Sequence, residues 1–486
     1  MSTAEFTALL PIIMLTAFAV TVMLAIAVRR NYWVTAALTL TGLAATFASL
    51  AAAASVAPRG VTPLLVVDGY ALFYSALIVA AAFVVTVLLY GYLEDSDGQQ
   101  EEMYLLLLTA TLGGVVLVYS RHFASFFLGM ELLSVSLFAM IGYPLGKKAP
   151  LEAALKYLVL SGVASAFLLF GMALIYNQLG TLAFAHLGSM LQSGRHAGSP
   201  YLLAGVALVV VGIAFKISVV PFHLWTPDVY EGAPAPVTAY LSTVSKGAMF
   251  ALLLRYFLQT DAYQAHQVML AFSVLAIASM LIGNLLALLQ NNVKRLLAYS
   301  SIAHMGYLLV AFMAGGTLAV VAVSYYLAAY FVMTLGAFGV VTVLSRQNRQ
   351  RDADHIADYQ GLFWQRPVLA GVFTLMLLSL AGIPLTMGFL GKFYALAAGV
   401  GGGLWAPVVA LAIGSVIGLF YYLRVIVAMF WGGPDQLPSG LALVRSSPVP
   451  VTGALALTGL AAVLVWLGIY PSALLNVIHT TAAALM

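Results

Sequence analysis

The 486-residue sequence contains no cysteine. That excludes disulfides, thiolate zinc sites and iron–sulfur clusters held by this chain, so any redox chemistry associated with it belongs to other chains. Charge is nearly as scarce: Asp, Glu, Lys and Arg together make up 7% of the residues, against about 25% in a typical soluble domain. Such a chain cannot cover a water-facing surface, which rules out a soluble enzyme. A basic n-region is also missing ahead of the first apolar run, and no cleaved signal peptide is expected.

What the sequence has instead is apolar residues, 63% of the total. They fall into runs of spanning length, about 20 residues each. Fourteen are predicted: 6-28, 32-54, 70-93, 103-119, 124-143, 152-176, 201-224, 235-257, 265-290, 295-314, 317-344, 367-399, 405-431 and 450-472. No soluble domain fits between them. The fold class is an all-α polytopic membrane protein with about fourteen transmembrane helices.

Lys and Arg accumulate on the cytoplasmic side of such proteins. With the N-terminus outside, the inner connections and their edges hold Arg29, Arg30, Lys147, Lys148, Lys294, Arg295, Arg346, Arg349, Arg351, Arg366 and Arg445. The outer ones hold only Arg59, Arg121, Arg195 and, near a helix end, Arg255. Both termini are therefore expected on the periplasmic side. The acidic stretch Glu94 to Glu102 reads as a solvated inner loop.

Internal symmetry is the next expectation. At a spacing of 173 residues, Arg121 and His122 map onto Lys294 and Arg295, and Glu131 maps onto His304. Similar spacings carry Lys216 onto Lys392 and Lys246 onto Arg424. About five helices separate the copies, an odd number, so the repeat would be inverted. The expected organisation is 1-102 as three N-terminal helices, 103-257 and 258-431 as two five-helix repeats, and 432-486 as a C-terminal helix.

Glu131, Lys156, Lys216, Lys246 and Lys392 lie within predicted spans. Each would cost about 2.5–3.5 kcal/mol at a helix centre, on the order of 12–17 kcal/mol together if uncompensated. Pairing, internal hydration or neutralisation must offset this, and each places the residue inside the bundle. Lys156 and Arg424 also admit a blander reading, a side chain snorkelling from a helix end. A buried lysine near a carboxylate whose separation changes can hold and release a proton. Histidine suits the relay between such groups. His223 and His304 are the candidates, and a merely hydrogen-bonded role is open for both.

Two helices look broken. One, GIAFKISVVPFHLWTPDVYEGAPAP, has Lys216 ahead of Pro221 and Pro227; the other, LAGIPLTMGFLGKFY, has Lys392 after Gly382, Pro384 and Gly388. Irregular backbone at membrane depth is tolerated only where protein or an internal water-filled cavity satisfies it. A lysine beside each break is the layout of an ion path.

FHLWTPDVYEGAPAPVTAYLSTVSK at 222-246 resembles the proton-translocating, antiporter-like membrane subunits of respiratory complex I. TPLLVVDGYALFY at 62-74, LGMELLS at 128-134, LEAALKYLVLS at 151-161, KRLLAYSSIAHMGYLLVA at 294-311 and SLAGIPLTMGFLGKFY at 379-394 extend the resemblance over most of the chain. The largest member of that family continues into a long lateral helix for which 486 residues leave no room. The middle member typically has glutamate where Lys392 stands.

The resemblance implies a modulating pair Glu131 and Lys216, a central relay Lys246 and a terminal protonatable Lys392, with Lys156, His223 and His304 as lesser members. It implies no cofactor in this chain; NADH, FMN, iron–sulfur clusters and quinone belong to the whole complex. Partners would be other membrane subunits of a hetero-oligomer, including neighbouring antiporter-like ones, and lipid of the bacterial inner membrane, with no nucleic acid. The alternative is a subunit of a multi-subunit cation/proton antiporter, which the buried charges alone do not distinguish.

Overall fold

A computed structural model describes residues 2-94, 100-144, 146-192, 199-345, 352-431 and 450-485. Arg195, Arg346, Arg349, Arg351 and Arg445 from the orientation argument lie outside the described residues, as does part of the acidic stretch Glu94 to Glu102.

Among the described residues, twelve helices are long and apolar enough to cross a membrane: Leu10–Val28, Tyr32–Ala54, Gly69–Leu93, Glu102–Tyr119, Phe123–Gly142, Lys148–Leu179, Ala235–Thr260, His266–Leu288, Val293–Met313, Gly316–Ser345, Trp405–Phe430 and Val451–Ile469. The other two predicted runs, 201-224 and 367-399, are not continuous helices. The first is helical only over Pro200–Lys216, with another helix, Trp225–Gly232, beginning just beyond the run, and the second is a pair, Pro367–Ala381 with Met387–Gly401. Among the described residues, three further helices lie in connections or beyond the predicted runs: Phe184–Gln192, the single turn Leu362–Gln365, and Ser472–Leu485 after the last span.

The breaks follow from backbone chemistry. Pro200–Lys216 ends at the lysine itself, and irregular backbone runs to Leu224 through Ser218, which has φ 62°, and Pro221. Pro227 is therefore not part of the break but lies in the first turn of the next helix, where proline lacks no needed donor. In the second pair, Gly382 at φ 87° closes Pro367–Ala381, and Thr386 caps Met387–Gly401 by accepting from Phe389 N–H. Gly388 also lies outside the break. It packs against the Ser379 backbone so closely that a Cβ would collide with it.

Connections predicted on one side meet at one end. Arg30 pairs with Glu102 at 2.5 Å, Lys156 with Asp228, and Asn292 bridges to His355. At the other end, Leu65 bridges to Ser120 and His122 to Ala183. Three helices, Ala235–Thr260, Val293–Met313 and Gly316–Ser345, are almost wholly enclosed by the rest. They form the centre on which the buried charges converge.

Candidate functional site: a buried row of lysines, hydroxyls and a histidine

Lys216 is 3% exposed, yet it forms no ion pair among the described residues. Its Nζ donates to Ser134 Oγ at 2.6 Å and to Ser161 Oγ at 2.7 Å. Glu131 lies one helical turn before Ser134, and its Oε1 accepts from Ser165 Oγ at 2.6 Å, one turn beyond Ser161. The predicted Glu–Lys pair is therefore separated by serines rather than in direct contact. Lys148–Leu179 packs against both the helix of Glu131 and that of Lys216, and its Ser161 and Ser165 hold one group each.

Lys246 is fully buried. It follows a π-helical segment, Leu241–Ser245, which divides Ala235–Tyr240 from Lys246–Thr260. Such wide turns recur at functional positions because they re-aim the side chains that follow. Lys246 Nζ donates to Ser301 Oγ at 2.7 Å, and that oxygen also lies 2.7 Å from the Tyr330 hydroxyl.

His304, one turn after Ser301, holds Tyr326 at 2.9 Å through Nδ1 and reaches Tyr422 at 3.4 Å through Nε2. Tyr422 in turn bonds Ser300. The His304 ring meets that of Tyr307 edge-on at 5.4 Å, and Lys392 Nζ sits 5.1 Å from the centre of the same Tyr307 ring. Lys392 donates to the Ala381 carbonyl at 2.8 Å. A cation at a helix C-terminus is favoured by the helix dipole. Lys216 and Lys392 thus stand on opposite sides of their breaks: one ends the first half-helix, the other reaches back to it from the second.

His223 requires a correction. The predicted run 201-224 puts it in one helix with Lys216, but the helix stops at Lys216 and His223 belongs to the irregular segment. It is buried, and its Nδ1 has no hydrogen-bond partner among the described residues.

Lys156 is not in the buried row. Its half-exposed side chain pairs with Glu152 at 2.8 Å and Asp228 at 2.7 Å. Asp228 also accepts from Arg295, which bonds Glu231 as well. These groups line a polar cavity of about 640 Å³ at the end where the predicted inner connections meet. Lys294, counted above as a loop charge, is buried there on Asp352 and the Ala233 carbonyl.

Arg255 is a further correction. Far from lying in an outer connection, it is fully buried and forms a two-pronged ion pair with Asp68 at 2.7 and 2.8 Å. Asp68 also caps Gly69–Leu93 through Ala71 N–H. Burial alone would raise the Asp68 carboxyl; the Arg255 charge and hydrogen bonds, with the Ala71 amide, bring it below the ordinary value. Arg424 reaches the carbonyls of Leu288 and Gln290, closing the end of His266–Leu288, and stays out of the row.

The sequence reading missed Ser134, Ser161, Ser165, Ser301 and the tyrosines around His304. Their one signal was position, since Ser134 falls three residues after Glu131 and Ser301 three before His304.

A multi-pass helical membrane protein with buried lysines held by hydroxyls or a carbonyl, two of them at helix breaks, is the class this geometry defines. Residues 120-418 match the family model of NADH:quinone oxidoreductase/Mrp antiporter transmembrane proteins. The chain is 54% identical to NADH-quinone oxidoreductase subunit N of Nitrosospira multiformis, over 99% of this chain and 97% of that one. It is also similar to a chain of respiratory complex I from Thermus thermophilus solved with bound aureothin, with 32% identity, 96% and 98% coverage and a TM-score of 0.80. A chain of the Mrp complex from Dietzia shares the fold alone, with 20% identity, 99% and 97% coverage and a TM-score of 0.84. The chain belongs to the NADH:quinone oxidoreductase/Mrp antiporter family of membrane proteins.

Proposed function

We propose that this chain is a proton-translocating membrane-arm subunit of a bacterial NADH-quinone oxidoreductase, corresponding to subunit N. The complex couples quinone reduction elsewhere to proton transfer through this chain. NADH, FMN, iron–sulfur clusters and quinone are handled by other subunits, with neighbouring antiporter-like chains beside this one in the inner membrane. The observation that carries the reading is three buried lysines, each satisfied by neutral hydroxyls or a carbonyl rather than by a carboxylate. Such a lysine gives up its proton without leaving an unpaired carboxylate behind.

Glu131 and Lys216 form the modulating pair, with Lys246 as central relay, His304 between Lys246 and Lys392, and Lys392 terminal. His223 and Lys156 flank this path, at the first break and in the charged cavity. Residues 103-257 and 258-431 are two inverted repeats, each supplying one broken helix and part of the path. His122 and Asn292 both cap a helix and form a bridge to a later connection, which supports this symmetry in a register three residues shorter than the one that matched His122 to Arg295.

Lys216→Ala, Lys246→Ala and Lys392→Ala should each depress NADH-driven proton translocation in inverted membrane vesicles while leaving the complex assembled. Wild-type translocation in all three would refute the assignment. A cation/proton antiporter subunit is the competing reading, carried by the family that both share. Purification of the native assembly separates them: flavin- and iron–sulfur-containing chains co-migrate in one case only.

A further inference from the structure

Between Lys216 and Lys246 the direct hydrogen bonds stop. Lys216 ends on Ser134 and Ser161, and Lys246 ends on Ser301. A tyrosine ring lies beside each lysine. Lys216 Nζ lies 5.6 Å from the centre of the Tyr157 ring, and Lys246 Nζ lies 5.3 Å from that of Tyr230. Tyr157 sits one turn before Ser161 on the same helix and is held by stacking on Trp225 at 4.5 Å. Tyr230 rides on the half-helix Trp225–Gly232 that resumes after the first break.

Both tyrosines are buried to below 2% exposure, and both hydroxyls are without a hydrogen-bond partner among the described residues. The Tyr157 hydroxyl faces the side chain of Ser245, the residue before Lys246. The Tyr230 hydroxyl faces Ser301, the residue that holds Lys246. A buried hydroxyl left unpaired costs about 1–3 kcal/mol. A protein that only needed rings under its lysines would avoid that cost with phenylalanine, which offers the same cation–π face.

We propose that the Tyr157 and Tyr230 hydroxyls are the proton bridge from Lys216 to Lys246, a step that rests on the proton-translocating reading above. In each transfer the phenolic oxygen takes up the incoming proton as its own O–H proton passes to the next acceptor. The neutral phenol is regenerated, no phenolate forms, and rotation about the C–O bond resets it.

Phenylalanine substitution separates ring from hydroxyl. In inverted vesicles carrying the whole complex, Tyr157→Phe and Tyr230→Phe should each slow NADH-driven proton translocation about tenfold, equivalent to about 1.4 kcal/mol in barrier. Assembly on native gels and NADH oxidation by an artificial electron acceptor should stay at wild-type levels. Because the two hydroxyls act in series, the double variant should be no slower than the slower single one, whereas two structural defects would add. Wild-type translocation in both single variants, with Lys216→Ala and Lys246→Ala impaired, overturns the bridge and leaves the function standing. Wild-type translocation in the lysine variants too overturns both. Should Tyr157→Phe fail to assemble, Tyr230→Phe alone decides.

Discussion

A lysine held by serine and tyrosine hydroxyls differs from one held by a carboxylate in what its loss leaves behind. Ser301 can rotate to another partner when Lys246 is neutral or absent, whereas a buried carboxylate cannot be abandoned cheaply. The contrast is built into this molecule. Lys216, Lys246 and Lys392 have neutral partners, while Arg255 has Asp68. Asp68→Asn keeps the helix cap but strands a buried guanidinium, and breaking such a pair costs about 3–5 kcal/mol. The expected outcome is a lower thermal unfolding midpoint of the detergent-purified complex and less assembled subunit. Acid should act the same way. With its folded value lowered, Asp68 adds stability above the unfolded carboxyl value, and that stability is lost as pH falls through the folded one. Unfolding midpoints measured from neutral to acidic pH should show the wild type approaching Asp68→Asn only as pH falls below the ordinary carboxyl value.

At the scale of elements, the π-helical segment Leu241–Ser245 is the most informative feature. Deleting one residue from it would restore α-helical hydrogen bonding and turn Lys246 by about 100° about the helix axis. The Lys246–Ser301 bond would be lost while the helix kept its length to within about 1.5 Å. Such a deletion should abolish translocation like Lys246→Ala yet assemble, and assembly without loss of translocation would show that the segment does not aim Lys246. Nothing in LSTVS announces a wide turn, because an added residue changes hydrogen-bond register and not composition. The two breaks were legible, since proline and positive-φ glycine act through the backbone itself, although Pro227 and Gly388 misled about their edges. The lysines and Glu131 were legible because charge is costly in lipid. Their hydroxyl partners were not. Serine and threonine are ordinary in membrane helices and often bond their own backbone, as Ser134 does to the Met130 carbonyl. The Arg255–Asp68 pair was hidden because each residue lies near a helix end, where a snorkelling charge is the ordinary case.

Over the whole molecule, charge is sorted by depth and by end. One end gathers Arg30, Lys156, Lys294 and Arg295, each on a carboxylate: Glu102, Asp228, Asp352 and, for Arg295, both Asp228 and Glu231. Orientation is set by Lys and Arg in short connections and hardly at all by Asp and Glu, so these pairs do not cancel the bias. Their acids have another consequence. They hold together connections from the N-terminal helices, the first broken helix and the second half, fixing the cavity that Lys156 and Asp228 line. The bias predicts this end in the cytoplasm and both termini outside. Alkaline phosphatase, which folds only outside the cytoplasm, makes that testable when fused after single connections. Fusions after Gly180 and Gly315, at the opposite end, should be active, and those after Pro144 and Asn291 inactive. The reverse pattern would invert the molecule, put the Lys156–Asp228 cavity on the periplasmic side and exchange the sides from which the two halves of the path exchange protons, while leaving the buried row itself unchanged.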